Sequence, residues 1–138
     1  MASLIYNSAL NDMATGAIDF DTNSFKIILV TSSYTPNKDT HTKRSDVTNE
    51  ISGTGYTAGG AASAVTVTND TANDRIDINF ADISFASASL TAAAAVIYKT
   101  TGTAATDNLV AYLDFAGNVT STNGTFTVDI TSPLRIQN

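Results

Sequence analysis

The chain of 138 residues has no cysteine, which excludes disulfides, thiolate metal sites and cysteine nucleophiles. Its imidazole chemistry would rest on one residue, His41, and Glu50 is the only glutamate. Charge is also sparse: 14% of residues are charged, against roughly 25% in soluble proteins generally. A free monomer usually keeps a more charged surface, so part of this one is expected to face other protein; a Thr- and Ser-rich surface is the plainer alternative. The 7 basic residues stand singly apart from Lys43-Arg44, and the net charge is −6. Without a basic patch to displace counterions, nucleic acid is excluded as a partner. The longest apolar block, residues 92–98, falls far short of the roughly 20 residues of a membrane-spanning helix. The start, MASLIYNSALNDMATG, lacks the basic stretch and apolar run of a signal peptide. The expectation is a soluble protein made in a cytoplasm, with no membrane partner.

What is present is alternation and turn chemistry. Leu4, Ile5, Ala9, Leu10 and Met13 recur at helical spacing, with Ser3 placed to cap the start and Gly16 to end the helix. SFKIILVT (residues 24–31) is apolar on both faces, as in a central strand. YTPNKDTHTKRSD (residues 34–46) is polar and carries Pro36, so it reads as a long exposed loop, with a short helical turn over residues 46–50. Ala64-Val65-Thr66-Val67-Thr68 and Ile76, Ile78 and Phe80 alternate about the turn formers NDTAND, which predicts a hairpin. Ile83-Ser84-Phe85 extends the second of those strands after a break. AAAAVIYK and NLVAYLDF form the next pair, and TFTVDI and PLRIQ supply the last strands. The pattern predicts one mainly β domain over residues 1–138: an antiparallel β-sandwich or flattened, jelly-roll-like barrel of seven or eight strands with one short N-terminal helix.

Each candidate for chemistry meets a structural alternative. Gly53, Gly55, Gly59 and Gly60 space as GxGxxxGG, but no lysine follows and a strand rather than a helix comes next, so both requirements of a phosphate loop fail. The glycines are expected to bend the chain, with Gly55 and at least one of Gly59 and Gly60 at positive φ and Tyr56 anchoring the loop by its ring. His41 lies in the polar loop without a GxSxG partner and reads as a solvated histidine. Asp70, Asp74 and Asp77 lack the spacing and closing glutamate of a calcium loop and read as a solvated hairpin face. Asp19 and Asp21 read as turn residues. Glu50 has no evident second acid across a cleft, as glycoside hydrolysis would need. Asn69, Asn118 and Asn123 sit in sequons that an Asn/Thr-rich composition produces by chance. No catalytic, cofactor or metal residue is assigned, and the protein is expected not to be an enzyme.

Several stretches together resemble a family of small bacteriophage virion proteins: LIYNSALNDMATGAIDFDTNSFKIILVTSSYTPN, DVTNEISGTGYTAGG, NDTANDRIDINFADISF, AAVIYKTTGTAATDNLVAYLDF and STNGTFTVDI. The similarity runs in one order along nearly the whole chain. It departs from the family at Ala92 to Ala95, where members commonly carry a more polar residue and a glycine. The resemblance implies a non-enzymatic virion component without active-site residues or cofactors. Among particle roles, a small β-rich domain of low charge without repeats or coiled coil favours a capsid decoration or cement protein whose partners are the major capsid protein and copies of itself, a trimer at local three-fold positions being one architectural option. The alternative role is a tail, baseplate or fibre component that binds host surface polysaccharide, for which Tyr34 and Tyr56 are the candidate stacking rings.

Overall fold

The structure, a computed structural model, describes residues 2–130 and 134–137. It is 48% strand and 9% helix, and its sheets stay open, so the architecture formed is the sandwich rather than a barrel. In chain order the elements are β1 (Leu4–Ile5), α1 (Asn7–Thr15), β2 (Phe25–Val30), β3 (Ala61–Ser63), β4 (Val65–Asp70), β5 (Arg75–Phe80), β6 (Ile83–Ala88), β7 (Thr91–Lys99), β8 (Leu109–Thr120), β9 (Gly124–Val128) and β10 (Leu134–Gln137). One layer is the five-stranded sheet β1-β8-β7-β2-β3; the other holds the three-stranded sheet β10-β5-β4 and the pair β6-β9. Every pairing between these strands is antiparallel.

Bends carry the chain from one layer to the other. The β7–β8 ribbon runs on into the β6–β9 ribbon through a corner at which Leu90 and Ser121 exchange backbone hydrogen bonds. Two irregularities flank that corner: β8 bulges opposite Ala92 and Ala94, where Ala116 takes φ 60°, and β6 shifts register beside Ser87, at φ 50°. Thus Ile83-Ser84-Phe85 does not extend β5, the sequence-based expectation; it leaves that sheet to pair with Val128, Thr127 and Phe126 in turn. The strand count is accordingly ten among the described residues, not seven or eight.

The apolar run of β2 is explained by burial on both faces. Phe25, Ile27 and Leu29 face the main core between the layers, with Ile78, Phe80, Phe85, Ile97 and Phe126. Phe20, Phe25 and Phe80 form an aromatic knot there, with centroids 5.2 to 6.0 Å apart. Ile28 and Val30 face a second cluster with Tyr6, Tyr34, Val96, Tyr98 and Tyr112, on the outer side of the same sheet. Residues 31–50 cover that cluster. The segment expected to be an exposed loop is therefore a lid over the sheet, with Tyr34 and Pro36 buried. Its helical turn falls at Arg44–Asp46, earlier than residues 46–50, because Asp46 Oδ2 accepts the Thr42 and Lys43 amides at 2.8 and 2.9 Å.

The helix ends at Gly16, in the left-handed conformation at φ 82°, as its sequence indicated. Its start is different. Leu4 and Ile5 pair with Tyr112 and Ala111 as a short edge strand, and the Ser3 hydroxyl accepts the Asp114 amide instead of capping the helix. Tyr6 precedes the first turn and is fully buried against this domain's own sheet, whereas Ile5 and Leu10 stay exposed. Met1, and Pro133 of the predicted PLRIQ strand, lie outside the described residues.

Candidate functional site

The glycine loop is held by side chains on its own sheet. Glu50 extends the β3 edge by bridging to Val30, and its Oε1 accepts the Tyr56 hydroxyl and the Gly59 amide, each at 2.7 Å. The Tyr56 oxygen in turn accepts the Leu29 amide at 3.1 Å, and its ring packs on Phe85 with centroids 5.2 Å apart. The loop amides of Tyr56, Gly59 and Gly60 all donate within the protein, to Gly53, Glu50 and Thr57. They face no open cradle. Gly55, Gly59 and Gly60 have φ of 87°, 94° and 79°. A Cβ on Gly60 would overlap the Ile27 carbonyl, and one on Gly55 would lie 2.8 Å from Ala88. Only glycine lets these backbones pass so closely. The bend expected from the sequence is present; Glu50 as its anchor was not foreseen, because its partners lie in a loop that only the fold brings back to it.

The lid has a second polar chain. The Tyr6 and Tyr34 hydroxyls share a hydrogen bond of 2.9 Å, and Tyr34 meets His41 Nδ1 at 3.0 Å. The Asn37 amide donates to the same nitrogen at 3.3 Å, and the Tyr34 and His41 rings stack 5.8 Å apart. His41 is thus half-buried and packed, not a freely solvated loop residue. Farther along, Arg44 Nε reaches Asp107 Oδ2 at 2.9 Å, and its guanidinium lies 5.2 Å from the Tyr98 ring centroid. Asp107 is buried, and its other oxygen accepts the Thr101 amide and hydroxyl at 2.6 and 2.8 Å. Burial alone would raise the Asp107 pKa, but the bonds from Arg44 and Thr101 outweigh it and hold the carboxyl below the usual range. Burial pushes Tyr98 up to about 12, against the opposing pull of Arg44, and raises Tyr6, Tyr34, Tyr56 and Tyr112 as well.

The acidic hairpin is an ion-pair cluster. Arg75 meets Asp70 and Asp77 at 3.4 and 3.1 Å, and Arg135 meets Asp77 at 3.3 Å. Among the described residues no three acids or histidines gather as metal ligands. Asp19 Oδ1 accepts the Asp21 amide at 3.0 Å, as befits a turn. Tyr34 is 4% exposed, and both Tyr34 and Tyr56 hold internal contacts with ring and hydroxyl, so neither ring is free to stack on a sugar.

One stretch of surface is apolar. Between α1 and the β10-β5-β4 sheet runs a groove of about 520 Å³, lined by Ile5, Leu10, Met13, Val110, Leu134 and Ile136. Met13, Ile78 and Ile136 carry it on toward Ile18, Ile76 and Val67. Four of the five large exposed hydrophobics, Ile5, Leu10, Val67 and Ile136, belong to this strip. Elsewhere, Thr66 and Thr68 of β4 and Thr125 and Thr127 of β9 are exposed. Among the described residues, no helix is long and apolar enough to cross a membrane. No family model, curated protein or solved structure matches the chain.

Proposed function

We propose that this protein is a non-enzymatic bacteriophage virion subunit, a capsid decoration or cement protein that stabilises the head through contacts with the major capsid lattice. The observation that carries this reading is the surface: a continuous apolar strip on a chain with only 14% charged residues. The resemblance of five successive stretches to small phage virion proteins gives that surface its context. The groups with most chemical potential, His41, Glu50, Arg44 and Asp107, all hold the lid and glycine loop in place. Their geometry supports a scaffold role.

In this reading, apolar and threonine-rich surface is buried against the shell, and a net charge of −6 keeps the unassembled subunit soluble. Weak single contacts repeated over a symmetric shell become strong through avidity. With few charges to screen, docking should change little with salt. The test is binding of purified protein to capsids lacking it, at low and high salt, with isolated tails as control. Salt-tolerant binding to capsids is expected. Binding to tails and not capsids would replace this reading with the tail-component one, and envelope hydrolysis abolished by His41→Ala would overturn the non-enzymatic assignment.

A further inference from the structure

We propose that the free edge of β10 is a two-fold interface with a second copy of this chain, the two β10 strands pairing antiparallel beside the apolar groove. β10 is terminal in its sheet and pairs only with β5 among the described residues. Such an edge presents a row of backbone donors and acceptors for another strand. The groove lies directly alongside, and three of its lining residues stand out into solvent: Ile136 at 55%, Leu10 at 51% and Ile5 at 39% exposure. An extended strand meets both demands together, bonding to the edge while its alternate side chains enter the groove. A docked helix would leave the backbone row unpaired.

Charge decides whose strand fits. Two copies of a −6 chain repel across most of their surface. The groove is lined by no carboxylate, and its one charged residue, Arg135, is already paired with Asp77. Here a second copy can approach without like charges meeting. β10 also carries the required pattern: Leu134 and Ile136, in register with Ile78 and Ile76, alternate with Arg135 and Gln137, in register with Asp77 and Arg75. Register then follows from the symmetry. Centring the pair on Arg135 would set two guanidinium groups opposite each other, which is unfavourable. Centring it between residues would oppose groove-side with outer-side positions, which the pleat forbids. Centring it on Ile136 places that residue against its own copy and Arg135 against Gln137. The two three-stranded sheets become one of six strands, with the α1 helices and their Leu10 side chains on either side of the axis.

This pairing requires no shell, so it stands or falls apart from the capsid role. The experiment exploits the absence of cysteine: Ile136→Cys places one thiol per chain at the axis, where opposed Cβ atoms lie about 4.5–5.5 Å apart. Sedimentation equilibrium of the native chain should show a monomer–dimer equilibrium. Mild oxidation of Ile136→Cys should yield a covalent dimer, as should a mixture of Arg135→Cys with Gln137→Cys. Val119→Cys, at another exposed apolar position (44%), should not cross-link. Ile136→Lys should give a monomer with an unchanged circular dichroism spectrum. A native chain monomeric at every concentration would overturn the proposal. So would a dimer that survives Ile136→Lys, or cross-linking of Val119→Cys as readily as of Ile136→Cys. Loss of capsid binding with the dimer intact would count against the proposed function alone.

Discussion

The Tyr98 hydroxyl donates to the Gly59 carbonyl at 2.6 Å, joining a central strand of the sheet to a loop 39 positions earlier in the chain. With Glu50 holding the Gly59 amide, the loop is gripped on both sides of one residue. The glycines should therefore differ in tolerance. Gly59→Ala meets only the backbone penalty of positive φ, about 1 kcal/mol. Gly60→Ala and Gly55→Ala also collide with backbone and should lose roughly 3 kcal/mol or more. Urea unfolding of the three variants checks the order; equal midpoints would refute it.

Removing the Tyr56 hydroxyl strands the Leu29 amide and takes from the Glu50 carboxylate one of its two donors, leaving it the Gly59 amide. Tyr56→Phe is expected to destabilise the fold by about 1–3 kcal/mol, the usual consequence of unsatisfied buried groups. Combined with Glu50→Ala the losses should be less than additive, since both variants break one bond. A double-mutant cycle with no coupling energy would show that the two side chains act independently.

All five tyrosines have raised pKa values in the folded state, with burial the largest cause. A phenol raised above its unfolded value of about 10 stabilises the fold below that pH. The contribution is lost as pH rises through the folded value. Ultraviolet titration of the folded protein should thus show every tyrosine ionising above its ordinary pH, with Tyr98 pushed up to about 12. A group titrating at its ordinary value in the folded protein would contradict the burial described.

Asp46 and Asp107 run the opposite way. The Lys43 and Thr42 amides hold Asp46 below the usual carboxylate range, and Arg44 and Thr101 do so for Asp107 against burial. A depressed carboxyl stabilises the fold above its unfolded value of about 3.9, and that stability disappears as pH falls through the folded value. Asp107→Asn should cost roughly 2–4 kcal/mol at neutral pH, because it leaves Arg44 without its partner charge. The variant should also show a shallower loss of stability below about pH 4. Equal acid slopes for variant and native protein would remove Asp107 from that transition.

The alternating strands and the turn at Gly16 were legible in the sequence because period and turn chemistry are local. Tyr34 and His41 were not. Their neighbours are polar and include a proline, and only the bare outer face of β2 and β7 explains why a polar segment folds down as cover. Leu4 and Ile5 fit a helical period equally well; the open edge of β8 decided the matter. Glu50 was noticed as the only glutamate, but its role depends on a loop returning to it. The groove beside β10 had no local signature either, since Leu10 and Ile136 lie at opposite ends of the chain.

β2 is apolar on both sides, yet its neighbour β7 comes from the second half of the chain, with Ile27 set against Ile97. During synthesis FKIILV emerges long before its central-strand partner β7, with only the short β3 to pair with one end of it in the meantime. A nascent chain at that stage exposes an aggregation-prone strand, and it cannot complete its central sheet until residue 120 has left the ribosome. Such long-range pairing also makes folding slow, in the millisecond-to-second range common for sandwiches. The yield of folded protein would then depend on keeping this one strand in solution until its partner arrives, more directly than on final stability.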